Sequence, residues 1–262
     1  MPRQLRILYT ANPVLTITGA FHWALAALLL ILYFFDSRTI LGINPWIKPT
    51  KFSVSIAIYV WTLAWYLRYV AERRRAVRMI SRGVAICMFT EIVCITLQSM
   101  RGTTSHYNVA TLLDATIFNI MGAMIGINSV LVAWTLVFFV AGAPAIPRSY
   151  LWGIRFGLMV FLLAAAEGIV MIVHGAHTVG ADDGGPGLPF VNWSTQHGDL
   201  RIAHFAGMHA LQILPLLGYL LSRSRRPESA QAAYMSVCAL LYLSVMGWLA
   251  WLAWQGRPLI GT

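Results

Sequence analysis

Seven long apolar stretches divide the chain, and they constrain its fold more than any other feature of the sequence. Each is close to the roughly 20 residues that an α-helix needs to cross about 30 Å of hydrocarbon. Charged residues make up only 11% of the 262 residues, against about 25% in a typical soluble protein. The sequence therefore predicts an all-α integral membrane protein, in which 1–262 form a single polytopic membrane domain of about seven transmembrane helices. The stretches cover residues 13–35, 52–70, 83–100, 116–140, 151–173, 202–221 and 230–254.

Arginine residues concentrate in alternate loops, and this predicts how the helices are oriented. Short loops rich in lysine and arginine stay on the cytoplasmic side of a membrane. We therefore expect the N-terminus and the loops after the second, fourth and sixth stretches inside, and the C-terminus outside, in a bacterial-type inner membrane. If the third stretch were re-entrant, the orientation of every later helix would change. The loops carry Arg73, Arg74, Arg75, Arg78, Arg82, Arg148, Arg223, Arg225 and Arg226.

Histidine residues gather on the outer side under this orientation, and none of the seven lies in an inner loop. His209 lies slightly deeper, and His22 is expected to be a packed polar residue in the first stretch, nearer the inner side. Any chemical function is therefore expected to face the exterior. The outer histidines are His106, His174, His177, His197 and His204.

Two histidines match in depth on consecutive helices. His174 ends the fifth stretch and His204 begins the sixth, so these residues lie at a similar depth on antiparallel helices. At a rise of 1.5 Å per residue, Glu167 lies one heptad inward of His174, and His209 lies about as far inward on the sixth helix. His204 and His209 are about 140° apart around their helix, so both reach one partner helix only across a broad polar surface. We predict that His174, His204, His209 and Glu167 bind a cofactor.

The residue types indicate the kind of cofactor. Neutral imidazoles ligate haem iron or bind zinc and copper, whereas a glutamate orients a ligating histidine or relays a proton. His177 extends the group to a predicted metal set of His174, His177 and His204. The sequence has no Cys-x-x-Cys-His attachment site, so any haem is expected to be non-covalent haem b. The alternative is that these histidines only form hydrogen bonds with backbone or lipid.

The third stretch carries a polar stripe, formed by Cys87, Glu91, Cys94, Gln98 and Arg101, that ends at the outer side. An ionisable group in hydrocarbon is costly, so Glu91 and Glu167 are expected to face the protein interior, each beside a polar partner or a hydrated cavity. The alternative is a neutral, hydrogen-bonded glutamate that only fixes helix contacts.

Positive charge also occurs near the outer surface, on Lys48, Lys51, Arg101 and Arg201. This pattern attracts an anionic group such as a lipid phosphate or a carboxylate. The inner arginines account for much of the net charge of +10, so no nucleic-acid partner is expected. The expected partners are the lipid bilayer and an anionic lipid, a quinone or a small-molecule ligand. The predicted ligand-binding residues are Arg101, Arg201, Glu91, Gln98 and His106.

Three functions remain open, and the sequence leaves undecided whether the protein is an enzyme. The favoured hypothesis is a haem- or metal-binding protein with a redox or enzymatic role. The second is a proton-coupled transporter of a small solute, and the third is a sensor or an assembly subunit. The outer ends of the third, fifth and sixth helices are predicted to enclose one site. Its lining is predicted to be Arg101, Glu167, His174, Arg201, His204 and His209.

Overall fold

Long α-helices make up most of the structure, a computed structural model that describes residues 2–142 and 144–261. Within these residues the strands are limited to one short antiparallel pair, in which Thr178 is opposite Asp199 and Val179 is opposite Gly198. The elements are α1 (Arg3–Ala11), α2 (Pro13–Phe35), α3 (Ile47–Leu67, followed by the 3-10 turn Arg68–Val70), α4 (Arg74–Met100), α5 (Leu112–Ala141), α6 (Arg148–His174), β1 (Thr178–Val179), β2 (Gly198–Asp199), α7 (Leu200–Ser222) and α8 (Glu228–Trp254).

Helices α2 to α8 occupy the seven predicted stretches. In the part of the chain that the structure describes, six of them, all except α3, are long and apolar enough to cross a membrane. The chain is therefore an all-helical, multi-pass membrane protein. Helix α4 begins at Arg74, earlier than predicted, because arginine favours helix and extends it beyond the apolar stretch.

The helices form two compact units along the chain. The described residues up to Leu131 belong to unit 1, and those from Val132 onward belong to unit 2. Helix α5 therefore contributes its first part to unit 1 and its last turns to unit 2. That the two units make up a single membrane domain stays a prediction.

In unit 1, helices α2, α3 and α4 pack together, and the short α1 lies against α2 and α3 with Leu8 buried. Asn12 separates α1 from α2. Its side-chain oxygen accepts a hydrogen bond from Leu15 N at 3.2 Å, which caps α2. Its side-chain nitrogen donates to Ser81 Oγ at 2.7 Å. One residue thus ends α1, starts α2 and joins both helices to α4.

The connection between α2 and α3 is held by Asp36, which accepts hydrogen bonds from the Arg38 guanidinium and from Trp46 Nε1 at 2.8 Å. The hydrogen bonds from Arg38 lower the pKa of Asp36 below its ordinary value. Arg38 also donates to Met100 O at 3.1 Å, at the C-terminal end of α4. Trp46 is only 7% exposed, and its indole is part of this connection.

In unit 2, helices α6 and α7 approach closely through small residues. A Cβ added at Gly153 of α6 would lie 2.7 Å from Leu214 O of α7, and one added at Gly157 would lie 2.9 Å from Ala210 O. Pro215 lies in the same contact and is buried. Small residues allow helix backbones to approach in membranes, where lipid tails give little hydrophobic driving force between helices. This contact determines which residues of α6 and α7 face each other.

Gly153→Ala tests the close contact between α6 and α7. The added methyl group would push the backbones apart, so we expect a loss of roughly 1–3 kcal/mol in stability. Gly247→Ala is the matched control, because Gly247 is also in a helix of unit 2 and its added Cβ would meet no described atom within 4 Å. The measurement is Tm in detergent. Equal Tm values for the two variants would contradict the close contact.

Candidate functional site

The first polar cluster of unit 1 joins α3 to the loop before α5. Lys48 Nζ lies 3.2 Å from His106 Nδ1, and Ser105 Oγ lies 3.0 Å from the same nitrogen. Because a lysine ammonium group only donates, Nδ1 acts as the acceptor, and a neutral His106 ring carries its hydrogen on Nε2. Phe52 lies beside the ring, with centroids 5.8 Å apart. The sequence singled out His106 and Lys48, but nothing in it pairs residues 58 positions apart.

Glu91 is only 2% exposed in the middle of α4, as expected from the cost of a charged group in hydrocarbon. Its neighbours on the stripe, Cys87 and Cys94, are buried as well. Lys48 interacts with Glu91 electrostatically. Among the residues described, Glu91 Oε2 has no hydrogen-bond partner. The stripe therefore faces inward, and it carries a carboxyl group whose hydrogen-bonding capacity is only partly used.

At the outer end of the stripe, Asp114 contacts its last two residues, Gln98 and Arg101. This carboxylate accepts hydrogen bonds from Gln98 Nε2 at 2.9 Å, Arg101 at 2.6 Å and Thr111 Oγ1 at 2.6 Å. Thr111 Oγ1 in turn accepts from Asp114 N, which caps α5. The Thr-x-x-Asp spacing is a signal for that cap, and the sequence prediction did not use it. The charge of Arg101 is thus paired, and anion binding by Arg101 stays a prediction.

These residues form one polar region of unit 1, because Glu91 and Gln98 lie one heptad apart on the buried face of α4. We call it the N-terminal site. It consists of Lys48, Glu91, Gln98, Arg101, His106 and Asp114.

In unit 2, His204 lies between α7 and α6. Its Nδ1 donates to Ala164 O at 2.8 Å, so Nε2 is the unprotonated nitrogen of a neutral ring. Gly168 provides the space, since a Cβ there would lie 3.4 Å from His204 Cε1. His177 interacts with His204 electrostatically. His177 and His204, two of the three predicted metal ligands, therefore lie close enough to influence each other.

Glu167 and His209, which were predicted to lie at a similar depth on neighbouring helices, are not joined by a hydrogen bond. Both carboxyl oxygens of Glu167 are buried and have no hydrogen-bond partner in the described part of the chain. The ring of His209 instead lies against that of Phe205, with the ring centroids 4.3 Å apart. Of the two surroundings expected for Glu167, a polar partner is not found among the described residues, and a hydrated cavity stays a prediction.

The other two predicted metal ligands are engaged locally. His174 Nε2 donates to Thr178 O at 3.0 Å, and His177 Nδ1 lies 2.6 Å from Asp183 Oδ2. Across residues 2–142 and 144–261, no three or more histidine, cysteine, aspartate or glutamate side chains are grouped to hold a metal ion. The metal set of His174, His177 and His204 gains no support from this geometry. Haem binding stays a prediction.

Two aspartates organise the segment between α6 and α7. Asp183 accepts hydrogen bonds from His177 N and Thr178 N. Burial by itself would raise the pKa of Asp183, but the hydrogen bonds and charge of His177, together with the hydrogen bond from Thr178, lower that pKa overall. Asp199 caps α7 and pairs with Arg201. The guanidinium of Arg201 is thus already paired, and anion binding by Arg201 stays a prediction.

The predicted site that would combine Arg101 with the histidines also stays a prediction. Arg101 belongs to the N-terminal site of unit 1, whereas Glu167, His174, Arg201, His204 and His209 belong to unit 2. Comparison with protein-family models, curated proteins and solved structures yields no match. Function must therefore be argued from these side chains.

Asp183→Asn tests whether this carboxylate holds the segment together. The folded-state pKa is lowered, so its contribution to stability is present above the ordinary value of about 4 and is lost as the pH falls through the lowered value. We expect Tm of the variant to fall by about 3–10 °C at neutral pH, because hydrogen bonds to charged groups contribute roughly 1.5–3 kcal/mol. At acidic pH the difference from the unmodified protein should shrink. The control is Asp182→Asn, at an exposed neighbour, and an equal, pH-independent loss in both variants would refute this role.

Proposed function

We propose that the chain is a seven-span membrane protein that couples the movement of a small solute to protons through the N-terminal site. Six helices are apolar enough to span a membrane, and α3 supplies the seventh. Helix α3 has 21 residues, enough to cross the hydrocarbon, and Lys51 near its start can extend its charge to the interface. An odd number of spans together with the arginine-rich loops favours an inside N-terminus and an outside C-terminus.

The burial of Glu91 is the observation that supports this function best. A carboxyl group that is 2% exposed within a membrane-spanning helix is costly and marks a functional position. Its electrostatic partner is Lys48, which also contacts His106. A proton that enters or leaves Glu91 therefore changes the attraction felt by Lys48, and through Lys48 the hydrogen bonding of His106. This coupling would link protonation inside the helix to a solute bound beside Lys48 and His106.

Glu91→Gln tests the proposal because it removes the ionisable group and keeps the size of the side chain. Infrared spectra of the protein in lipid bilayers are compared at low and high pH. We expect a carboxylic acid band that changes with pH in the unmodified protein and is weaker in the variant, which lacks the contribution of Glu91 but keeps that of Glu167, whose carboxyl oxygens are also buried. Uptake of small carboxylates, sugars and amino acids into proteoliposomes, driven by a proton gradient, should also be lost.

Glu228→Gln is the matched control, because Glu228 is exposed in the first turn of α8. It should keep both the infrared band and the uptake. If the band of Glu91→Gln is as strong as that of the unmodified protein, or if the variant supports uptake as fast as the control does, Glu91 is not the coupling residue.

A haem b protein with a redox role is the second candidate, and the geometry of His204 favours it. The hydrogen bond from Nδ1 to Ala164 O holds the ring in one orientation and leaves Nε2 as the nitrogen able to ligate a metal. A backbone carbonyl is a common partner for the second nitrogen of a ligating histidine. Glycine at position 168 gives this part of α6 little bulk.

His204→Ala tests this second function through the visible spectrum of protein purified from cells supplied with a haem precursor. If the protein binds haem, a Soret band should be present in the unmodified protein and absent from the variant. His22→Ala is the matched control, because Nδ1 of His22 also donates to a backbone carbonyl, Thr18 O at 2.8 Å, but its ring lies in unit 1 and packs against the rings of Phe21 and Phe89. A Soret band that survives in His204→Ala would eliminate His204 as a ligand.

A further inference from the structure

Six arginines of unit 1 are exposed at the start of α1 and the start of α4. Within the described residues none of the six forms an ion pair, whereas the adjacent Arg73 lies 3.9 Å from Glu72. Unpaired guanidinium groups are good partners for phosphate, because they present a planar pair of donors. The six are Arg3, Arg6, Arg74, Arg75, Arg78 and Arg82.

The hydrogen bond between Asn12 and Ser81 brings the two groups to the same end of unit 1. Asn12 follows α1, and its side chain donates to Ser81 Oγ at 2.7 Å. Ser81 lies between Arg78 and Arg82 on α4. The end of the N-terminal helix therefore lies beside the arginine-rich turns of α4. We call the six arginines the basic surface.

We propose that the basic surface binds the headgroups of anionic phospholipids. It lies at the ends of α2 and α4, both apolar enough to span a membrane, and so at the depth where headgroups are found. Helix α1 packs against α2 and α3 through the buried Leu8 and exposes Arg3 and Arg6, so its two arginines are held beside the start of α2. Several basic residues next to a transmembrane helix are typical of a surface that attracts anionic lipid.

Native mass spectrometry of the detergent-purified protein tests this proposal. The probes are phosphatidylglycerol and phosphatidylcholine with identical acyl chains. We expect the protein to retain phosphatidylglycerol preferentially. The double variants Arg3→Gln/Arg6→Gln and Arg74→Gln/Arg78→Gln should each reduce that preference by about thirtyfold, on the basis of the contribution of an arginine near an anionic surface.

Two further variants separate this surface from a simple effect of net charge. Arg225→Gln/Arg226→Gln removes two charges from the loop before α8 in unit 2 and should change the preference much less. Ser81→Ala removes no charge but breaks the hydrogen bond from Asn12, so it should weaken phosphatidylglycerol binding several-fold. Because Ser81→Ala can also affect folding, the proposal is tested by the arginine variants.

Three outcomes would overturn the proposal. The first is equal retention of the two lipids by the unmodified protein. The second is an equal loss in Arg225→Gln/Arg226→Gln, which would assign the preference to net charge. The third is displacement of phosphatidylglycerol by sodium phosphate or by RNA at the same ionic strength as a sodium chloride control, which would indicate a soluble anion site.

Discussion

Hydrocarbon offers no hydrogen-bond partner, so each polar group within a membrane-spanning segment must find one inside the protein. Most polar side chains in these helices do so locally. Ser129 donates to Ile125 O and Ser236 to Ala232 O, each one turn back in its own helix. Arg155 carries a charge, and its Nε donates to Phe139 O at 2.7 Å near the end of α5. The same requirement makes two carboxyl groups stand out among the described residues: Glu91, with one oxygen unpartnered, and Glu167, with both.

The two units meet this constraint in different ways. Unit 1 groups its polar side chains into a connected network in which Asp114 accepts hydrogen bonds from Gln98, Arg101 and Thr111. Unit 2 uses the close contact of α6 and α7, which brings a backbone carbonyl, Ala164 O, within reach of His204. A polar network beside the buried carboxyl group of Glu91 suits proton movement, whereas a single histidine held by a backbone carbonyl suits a ligand for a cofactor. This difference separates the two functions proposed for the units.

Helix positions and the inward stripe of α4 could be predicted, because hydrophobic length and helical periodicity are local properties. The buried Cys87, Glu91 and Gln98 lie at the predicted spacing. The contact between Lys48 and His106 could not be predicted, because it depends on how two distant segments pack. Nor could the use of glycine: Gly153 packs against α7, whereas a Cβ at Gly122, in a similar small-residue pattern, would meet no described atom within 4 Å. Sequence spacing shows that a helix can be approached closely, but only packing decides where.

Helix α4 connects the features of unit 1 that bear on function. Its first turns carry Arg74, Arg75, Arg78 and Arg82, its middle carries Glu91, and its last turns carry Gln98. With 27 residues it is about 40 Å long, comparable to a bilayer with its headgroups. A displacement of this helix by lipid bound at the arginines would therefore also shift the environment of Glu91, because a continuous helix moves its side chains together. If both proposals hold, the charge of the lipids at one end and the proton on Glu91 would be coupled through this one helix.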